Sequence, residues 1–322
     1  MARIVGAFAV SHAAVMIRTW ERAPAARREA VRAGYDEVAR LLRAAAPDVL
    51  LMVGSDHFQS FFLDNMPAFC IGVGERSVGW GDGGLRRLEL EVDGVLAQRL
   101  LEGLVGAGFD LAFARDLPLD HAFMSPLHMI MPDTSLPVVP LFQNCVAPPL
   151  PTVRRCLELG AALRTILDAE DSDLRVAVLG TGGLSHQVPL ADWRTLSDDA
   201  SGQLWRDFMS LGRHRADPEL QQRVGAEVLR WGREGLGRIA EDFDAEVLDL
   251  LARGDHAGLA ALQHDVIEAR GGNGAQEIRN WATVAGMVPE CRARTLFYQP
   301  VSEWLTGIAG VAFEASRGPA RA

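Results

Sequence analysis

The sequence predicts an α/β fold in which a mixed sheet is sandwiched by helices, with a helical insert in the C-terminal half. Three observations predict it. Apolar runs rich in β-branched residues recur at 3–9 (RIVGAFA), 49–54 (VLLMVG), 137–142 (PVVPLF) and 174–179 (LRVAVL), and each runs into small or polar residues. Segments at about 25–46, 93–107 and 152–168 lie between them, with apolar residues every three to four positions. From about 197 to 270 the text becomes helical throughout.

Each element follows from its pattern. The four runs are short and continuously apolar, as expected for strands buried on both faces. The intervening segments have the period of helices that cover such a sheet with one face. Strands alternating with helices place ligand-binding loops beyond the strand ends. In the insert, QLWRDFMSLGRH, QQRVGAEVLRWGREGLGRIAEDFDAEVLDLLARG and AGLAALQHDVIEAR lack strong strand runs. GGNGAQ at 271–276 breaks the insert, and EIRNWATVAGMV then predicts another helix with Glu277 in its first turn. Without an internal repeat, residues 1–322 are expected to form a single catalytic domain that includes the insert.

Composition narrows the function. Hydrophobic residues make up 48% and charged residues 23%, which supplies a large core and excludes wholesale disorder. The formal charge of −10 disfavours nucleic acid as a partner, since phosphates need a basic face. A small anionic ligand remains compatible, because one Arg can hold one carboxylate. MARIVGAFAVSHAAV has an early Arg and an apolar stretch too short to span a membrane, interrupted by His12, so a cytoplasmic protein with no membrane partner is expected. Cys70, Cys145, Cys156 and Cys291 form no C-x-x-C pair and are expected as free, buried thiols.

The histidines carry the chemistry. His12 (AVSHAA), His57 (GSDHFQS), His121 (LPLDHAF) and His186 (GGLSHQ) sit in short polar loops at or near strand-like runs, whereas His128, His214, His256 and His264 lie in or beside helix-like text. One strand-end histidine means little, but four converge if the loops share one edge of the sheet. An imidazole that binds metal or moves protons needs its other ring nitrogen held by a neighbour. Asp56 and Asp120, each just before a histidine, are candidates, although adjacent side chains often point apart. Gly182 and Gly183 permit either close backbone approach to a ligand or a tight turn. Phe61, Phe62 and Phe69 in FFLDNMPAFC are candidates for an aromatic-binding pocket or for core. Arg18 and Arg22 are candidates for binding a carboxylate or for a solvated helix face.

The order S-H, S-D-H-F, FFLDNMPAFCIGVG, L-D-H-A-F, G-T-G-G-L-S-H-Q, then QEIRNWATVAG and FYQPVSEWLTGIAG, resembles the class III (LigB-type) extradiol dioxygenases. It looks closest to the branch that cleaves 2,3-dihydroxyphenylpropionate. The resemblance covers most of 1–190 and 271–316 and is thin through the insert. It implies an Fe(II) cofactor held by His12, His57 and Glu277, with Glu268 and Asp265 as nearby acidic alternatives. Such a two-His-one-carboxylate set leaves coordination positions open for substrate and O2. It further implies that His186 takes a proton from the diol and that His121 serves as an acid later. The implied partners are a small aromatic diol and O2, and the implied assembly is a homo-oligomer, since some relatives need a small helical partner subunit whereas this chain has its own helical insert and is long enough to act alone. Other readings stay open: protocatechuate, gallate, an aminophenol or dihydroxyphenylalanine as substrate, a non-enzymatic metal-binding homologue, or a zinc hydrolase.

Overall fold

In a computed structural model, residues 2–13, 15–133, 136–190, 192–210 and 218–315 are described. The strands are β1 (Arg3–Val10), β2 (Val49–Gly54), β3 (Phe69–Gly72), β4 (Arg76–Gly79), β5 (Leu88–Glu91), β6 (Ala112–Ala114), β7 (Val138–Gln143), β8 (Arg175–Thr181), β9 (Cys291–Val301) and β10 (Thr306–Ala315). The helices are α1 (Ala25–Ala45), α2 (Gly94–Gly106), α3 (His121–Ile130), α4 (Val153–Ala169), α5 (Ala200–Ser210), α6 (Pro218–Glu234), α7 (Glu241–Arg253), α8 (His256–Ala261), α9 (His264–Gly271) and α10 (Ile278–Met287).

Eight strands form one sheet in the order β6-β3-β7-β2-β8-β1-β10-β9, and β4 and β5 form a separate antiparallel pair. The central strands β7, β2, β8 and β1 are mutually parallel, while β3 and the β9–β10 hairpin run antiparallel to their inner neighbours. The four strands expected from apolar runs are these four central ones. Their alternation builds two cores: Val49, Leu51 and Val53 of β2 face α2, α4 and α10, whereas Leu50 and Met52 face α1 and α3. Both faces are therefore covered, as the uninterrupted apolar runs required.

The insert is helical where described, α5 to α9, although part of it, including His214, lies outside the described residues. It is anchored by a third apolar cluster in which Trp205, Phe208 and Met209 of α5 and Leu220 and Val224 of α6 pack on Phe58 and Phe62. Phe58 and Phe62 lie in the loop after β2, so the insert is seated directly on the loop that carries His57. Cys70, Cys145 and Cys156 are buried and free, and free Cys291 is half-buried. No helix among the described residues is long and apolar enough to cross a membrane.

Candidate active site

Three adjacent parallel strands deliver three histidines to one edge of the sheet. His12 lies just past the end of β1, His57 past β2 and His186 past β8, and these strands are neighbours in the order β2-β8-β1. His121 arrives differently, as the first residue of α3, whose N-cap Asp120 accepts a hydrogen bond from the Ala122 N–H. Glu277 does not lie in the first turn of its helix; it closes a 3-10 turn and caps the start of α10. Its side chain is 1% exposed and points into the histidine cluster, so it is no solvated first-turn carboxylate.

Packing of α10 places Glu277. Asn280 donates to the Thr181 carbonyl at 2.8 Å and Trp281 to that of Gly182 at 2.7 Å, tying α10 to the end of β8. A Cβ at Gly182 (φ +103°) would lie 2.7 Å from the Glu277 carboxylate, so glycine is needed for this approach as well as for its backbone conformation. The Ser55 hydroxyl donates to Glu277 Oε1, and the Gly183 N–H donates to Oε2 at 3.1 Å.

Glu277 Oε1 lies 3.3 Å from His12 Nε2 and 3.5 Å from His57 Nε2. Ligands about 2.1 Å from a common ion at right angles stand roughly 3 Å apart, so these atoms can share one cation. His12 is 2% exposed, yet neither ring nitrogen has a hydrogen-bond partner in the protein. A buried imidazole left in that state is costly unless something further engages it. Burial pushes its pKa down to about 3, so it is a neutral donor. Burial would also lower His57, but the Asp120 charge and hydrogen bond, with Glu277 and Asp56, carry it up to about 9. The carboxylates around this point thus draw in positive charge.

The nitrogens of His12, His57 and His121 can also be grouped within 4.8 Å, as can the donor atoms of Asp82, Asp120 and His121. His57 and His121 are stacked 4.3 Å apart at 29°, and His12 stands at 89° to His57 and 79° to His121. His12 and His57 both approach Glu277 Oε1 through Nε2. Glu268 instead pairs with His264 and Asp265 is exposed, which removes both acidic alternatives from the site.

The aspartates are exchanged relative to the sequence pairing. Asp56 turns away from His57 and accepts the backbone N–H groups of Gln59, Ser60 and Phe61. His57 Nδ1 is held at 2.8 Å by Asp120, and His121 Nδ1 at 2.5 Å by Asp82. Asp82 belongs to the loop GWGDGG (79–84), which the sequence reading passed over; its glycine density was the available signal. His186 Nδ1 lies 3.0 Å from the Leu184 carbonyl, leaving Nε2 directed inward, 3.8 Å from Glu277 Oε2.

These surroundings drive two imidazoles apart. Burial lowers the His186 pKa, with only partial opposition from Glu277. For His121 burial acts the same way but is outweighed by the charges of Asp120 and Asp82, and its pKa rises. The two imidazoles are thus shifted in opposite directions, His186 down beside Glu277 and His121 up beside Asp120 and Asp82.

A cavity of about 70 Å³ lies over the cluster, lined by His12, His57, His121, His186, Glu277 and apolar residues including Trp304. Phe61, Phe62 and Phe69 do not line it: Phe61 packs on Phe142, Phe62 belongs to the cluster anchoring the insert, and Phe69 to the core. Of the two readings open for them, core is the one their surroundings fit. Arg22 is exposed away from it, whereas Arg18 lines a larger adjoining cavity.

The sequence profile described as "Catalytic LigB subunit of aromatic ring-opening dioxygenase" matches residues 6–309. Similar relatives are 2,3-dihydroxyphenylpropionate/2,3-dihydroxicinnamic acid 1,2-dioxygenases, from Photorhabdus laumondii (33% identical, spanning 89% of this chain and 91% of the relative) and from a Rhodococcus species (32%, 87% and 89%). A solved structure of an uncharacterised Escherichia coli K12 protein shares the fold, with a TM-score of 0.52 at 13% identity over 97% of this chain and all of that one.

Proposed function

The chain belongs to the LigB family of aromatic ring-opening dioxygenases and is a ring-cleavage dioxygenase; from that premise we propose that it is an Fe(II)-dependent extradiol enzyme opening a 3-substituted catechol such as a dihydroxyphenylpropionate. The observation that carries this reading is the convergence of His12, His57 and Glu277 around the partnerless imidazole of His12. These three would hold the metal. When bound, ferrous iron would supply a common docking point for both diol oxygens and O2 and the electron density that O2 lacks.

The remaining steps belong to the chain's own side chains. A diol must lose a proton to chelate well, and His186, kept neutral by burial with Nε2 facing inward, takes it. Its Nδ1–H is fixed by the Leu184 carbonyl, so the accepting nitrogen faces the substrate. His121, held by Asp82 and raised in pKa by the charges of Asp120 and Asp82, stacks on His57 and returns a proton to oxygen as the ring opens. Asp120 orients His57. Apolar walls from Val15, Val188 and Leu190 exclude water from the diol corner.

Chelated protein reconstituted anaerobically with Fe(II) or Zn(II), then given O2 and catechol, 3-substituted catechols, protocatechuate and gallate, tests the proposal. Expected are oxygen uptake with Fe(II) alone and a yellow ring-opened product from a 3-substituted catechol. A muconate product, or equal turnover with Zn(II), overturns it.

A further inference from the structure

The diol corner opens into a second cavity of about 290 Å³, which shares Val15, His57, His121, Val188, Leu190 and Val228 with the first. Its outer wall is apolar and comes from the insert: Trp205 and Phe208 of α5, Val224 and Leu229 of α6. A carboxylate side chain and a guanidinium reach it, Asp82 and Arg18. Asp82 is engaged by the ring of His121, whereas Arg18 makes no ion pair or side-chain hydrogen bond among the described residues. Its backbone is nonetheless fixed. A Cβ on Gly84, in the loop that delivers Asp82, would stand 3.0 Å from Arg18 Cβ.

We propose that Arg18 is a specificity-determining residue that binds a terminal carboxylate on the substrate's side chain, while Trp205, Phe208, Val224 and Leu229 receive the methylenes between it and the ring. This rests on the ring-cleavage reading and deepens it. The second cavity adjoins the His12–His57–Glu277 corner, so the ring substituent of a diol fixed there can extend into it. An unpaired guanidinium matches a carboxylate with two parallel hydrogen bonds. The chain carries a net charge of −10 and contains no lysine, and among the described residues Arg18 is the one arginine that lines this cavity.

Two measurements decide the matter. In metal-free protein, tryptophan fluorescence, to which Trp205 in the cavity wall contributes, is titrated with 3-phenylpropionate and with neutral 3-phenylpropanol. Wild type should bind the acid roughly tenfold more tightly than the alcohol, a modest charged hydrogen bond because Arg18 is exposed. Arg18→Gln should bind both equally, and Arg18→Lys should restore part of the preference. In iron-loaded enzyme, Arg18→Gln should raise KM about tenfold for 3-(2,3-dihydroxyphenyl)propionate, with kcat nearly unchanged and the KM for 3-propylcatechol unaffected. Wild type showing no preference for the acid, or Arg18→Gln weakening acid and alcohol alike, overturns the proposal. Failure of wild type to open any catechol overturns the ring-cleavage reading instead, and the fluorescence titration still decides the role of Arg18.

Discussion

His57 and His186 face the same carboxylate, yet their partners give them different work. His57 Nε2 converges with His12 on Glu277 Oε1, while His186 stands 3.8 Å from the other oxygen and is fixed by a backbone carbonyl. His57→Ala should therefore lose bound iron, and His186→Ala should keep it while kcat falls about 10²- to 10⁴-fold. Metal analysis of both purified variants checks this, and comparable iron loss in the two would make His186 a ligand. Gly274 offers a steric version of the same test, because a Cβ there would stand 1.9 Å from His186 Nε2. Gly274→Ala should lower kcat with iron content retained, since the ring must move off its position; unchanged turnover would show that its placement does not matter. At this scale His12, His57 and His186 were legible because each follows an apolar strand run. The aspartates were not: adjacent Asp56 and His57 diverge, and Asp82 reaches His121 from 39 residues away, a contact that only the folded loop creates.

The insert is coupled to the His186 turn through one buried carboxylate. Asp244 of α7 accepts hydrogen bonds from the Ser185 N–H at 2.7 Å, the Ser185 hydroxyl at 2.9 Å and the Tyr298 hydroxyl at 2.8 Å. Burial still pushes its pKa up from 3.8 to about 6, against those donors. With the folded value above the unfolded one, the native state keeps a proton that the unfolded chain has lost. This contribution to stability is full below the unfolded value and is lost as pH rises from about 4 to about 6. Relative to the non-titrating Asp244→Asn variant, wild type should gain about 1 kcal/mol of unfolding free energy on going from about pH 7.5 to about pH 5. Denaturant titrations at both pH values measure it, and a difference that does not change with pH would show that Asp244 stays ionised throughout. Elements were legible in proportion to how fully both faces are buried. The central strands β1, β2, β7 and β8 are nearly uniform apolar runs, whereas β6 has only three residues and β9 (CRARTLFYQPV) intersperses arginines on its exposed side. β10 is as apolar as the central strands, but it follows a 3-10 turn and pairs with β1 from the opposite end of the chain, which local periodicity does not reveal.

Across the whole molecule, His12 follows the first strand, His57 the second, and Glu277 precedes the last helix, so a shared ion would tie together segments that are remote in sequence. The unfolded chain offers no such set, and binding to the native state alone stabilises by RT ln(1 + [L]/Kd). A hundredfold excess of Fe(II) over Kd would add about 2.7 kcal/mol. For a chain of this size that corresponds to a rise in Tm on the order of 5 °C. The native state has a further reason to respond: two carboxylates, Glu277 and Asp120, are buried around His57, and in the absence of a cation protonated imidazole must balance them. Thermal unfolding of chelated protein, with and without Fe(II) under anaerobic conditions, should show this rise in wild type. His57→Ala and Glu277→Gln should lack it, because each leaves two donors where three are needed, while Arg18→Gln should retain it. A shift absent from wild type, or of equal size in His57→Ala, would mean that the ion binds elsewhere and would remove the basis on which His12, His57 and Glu277 are read as one centre.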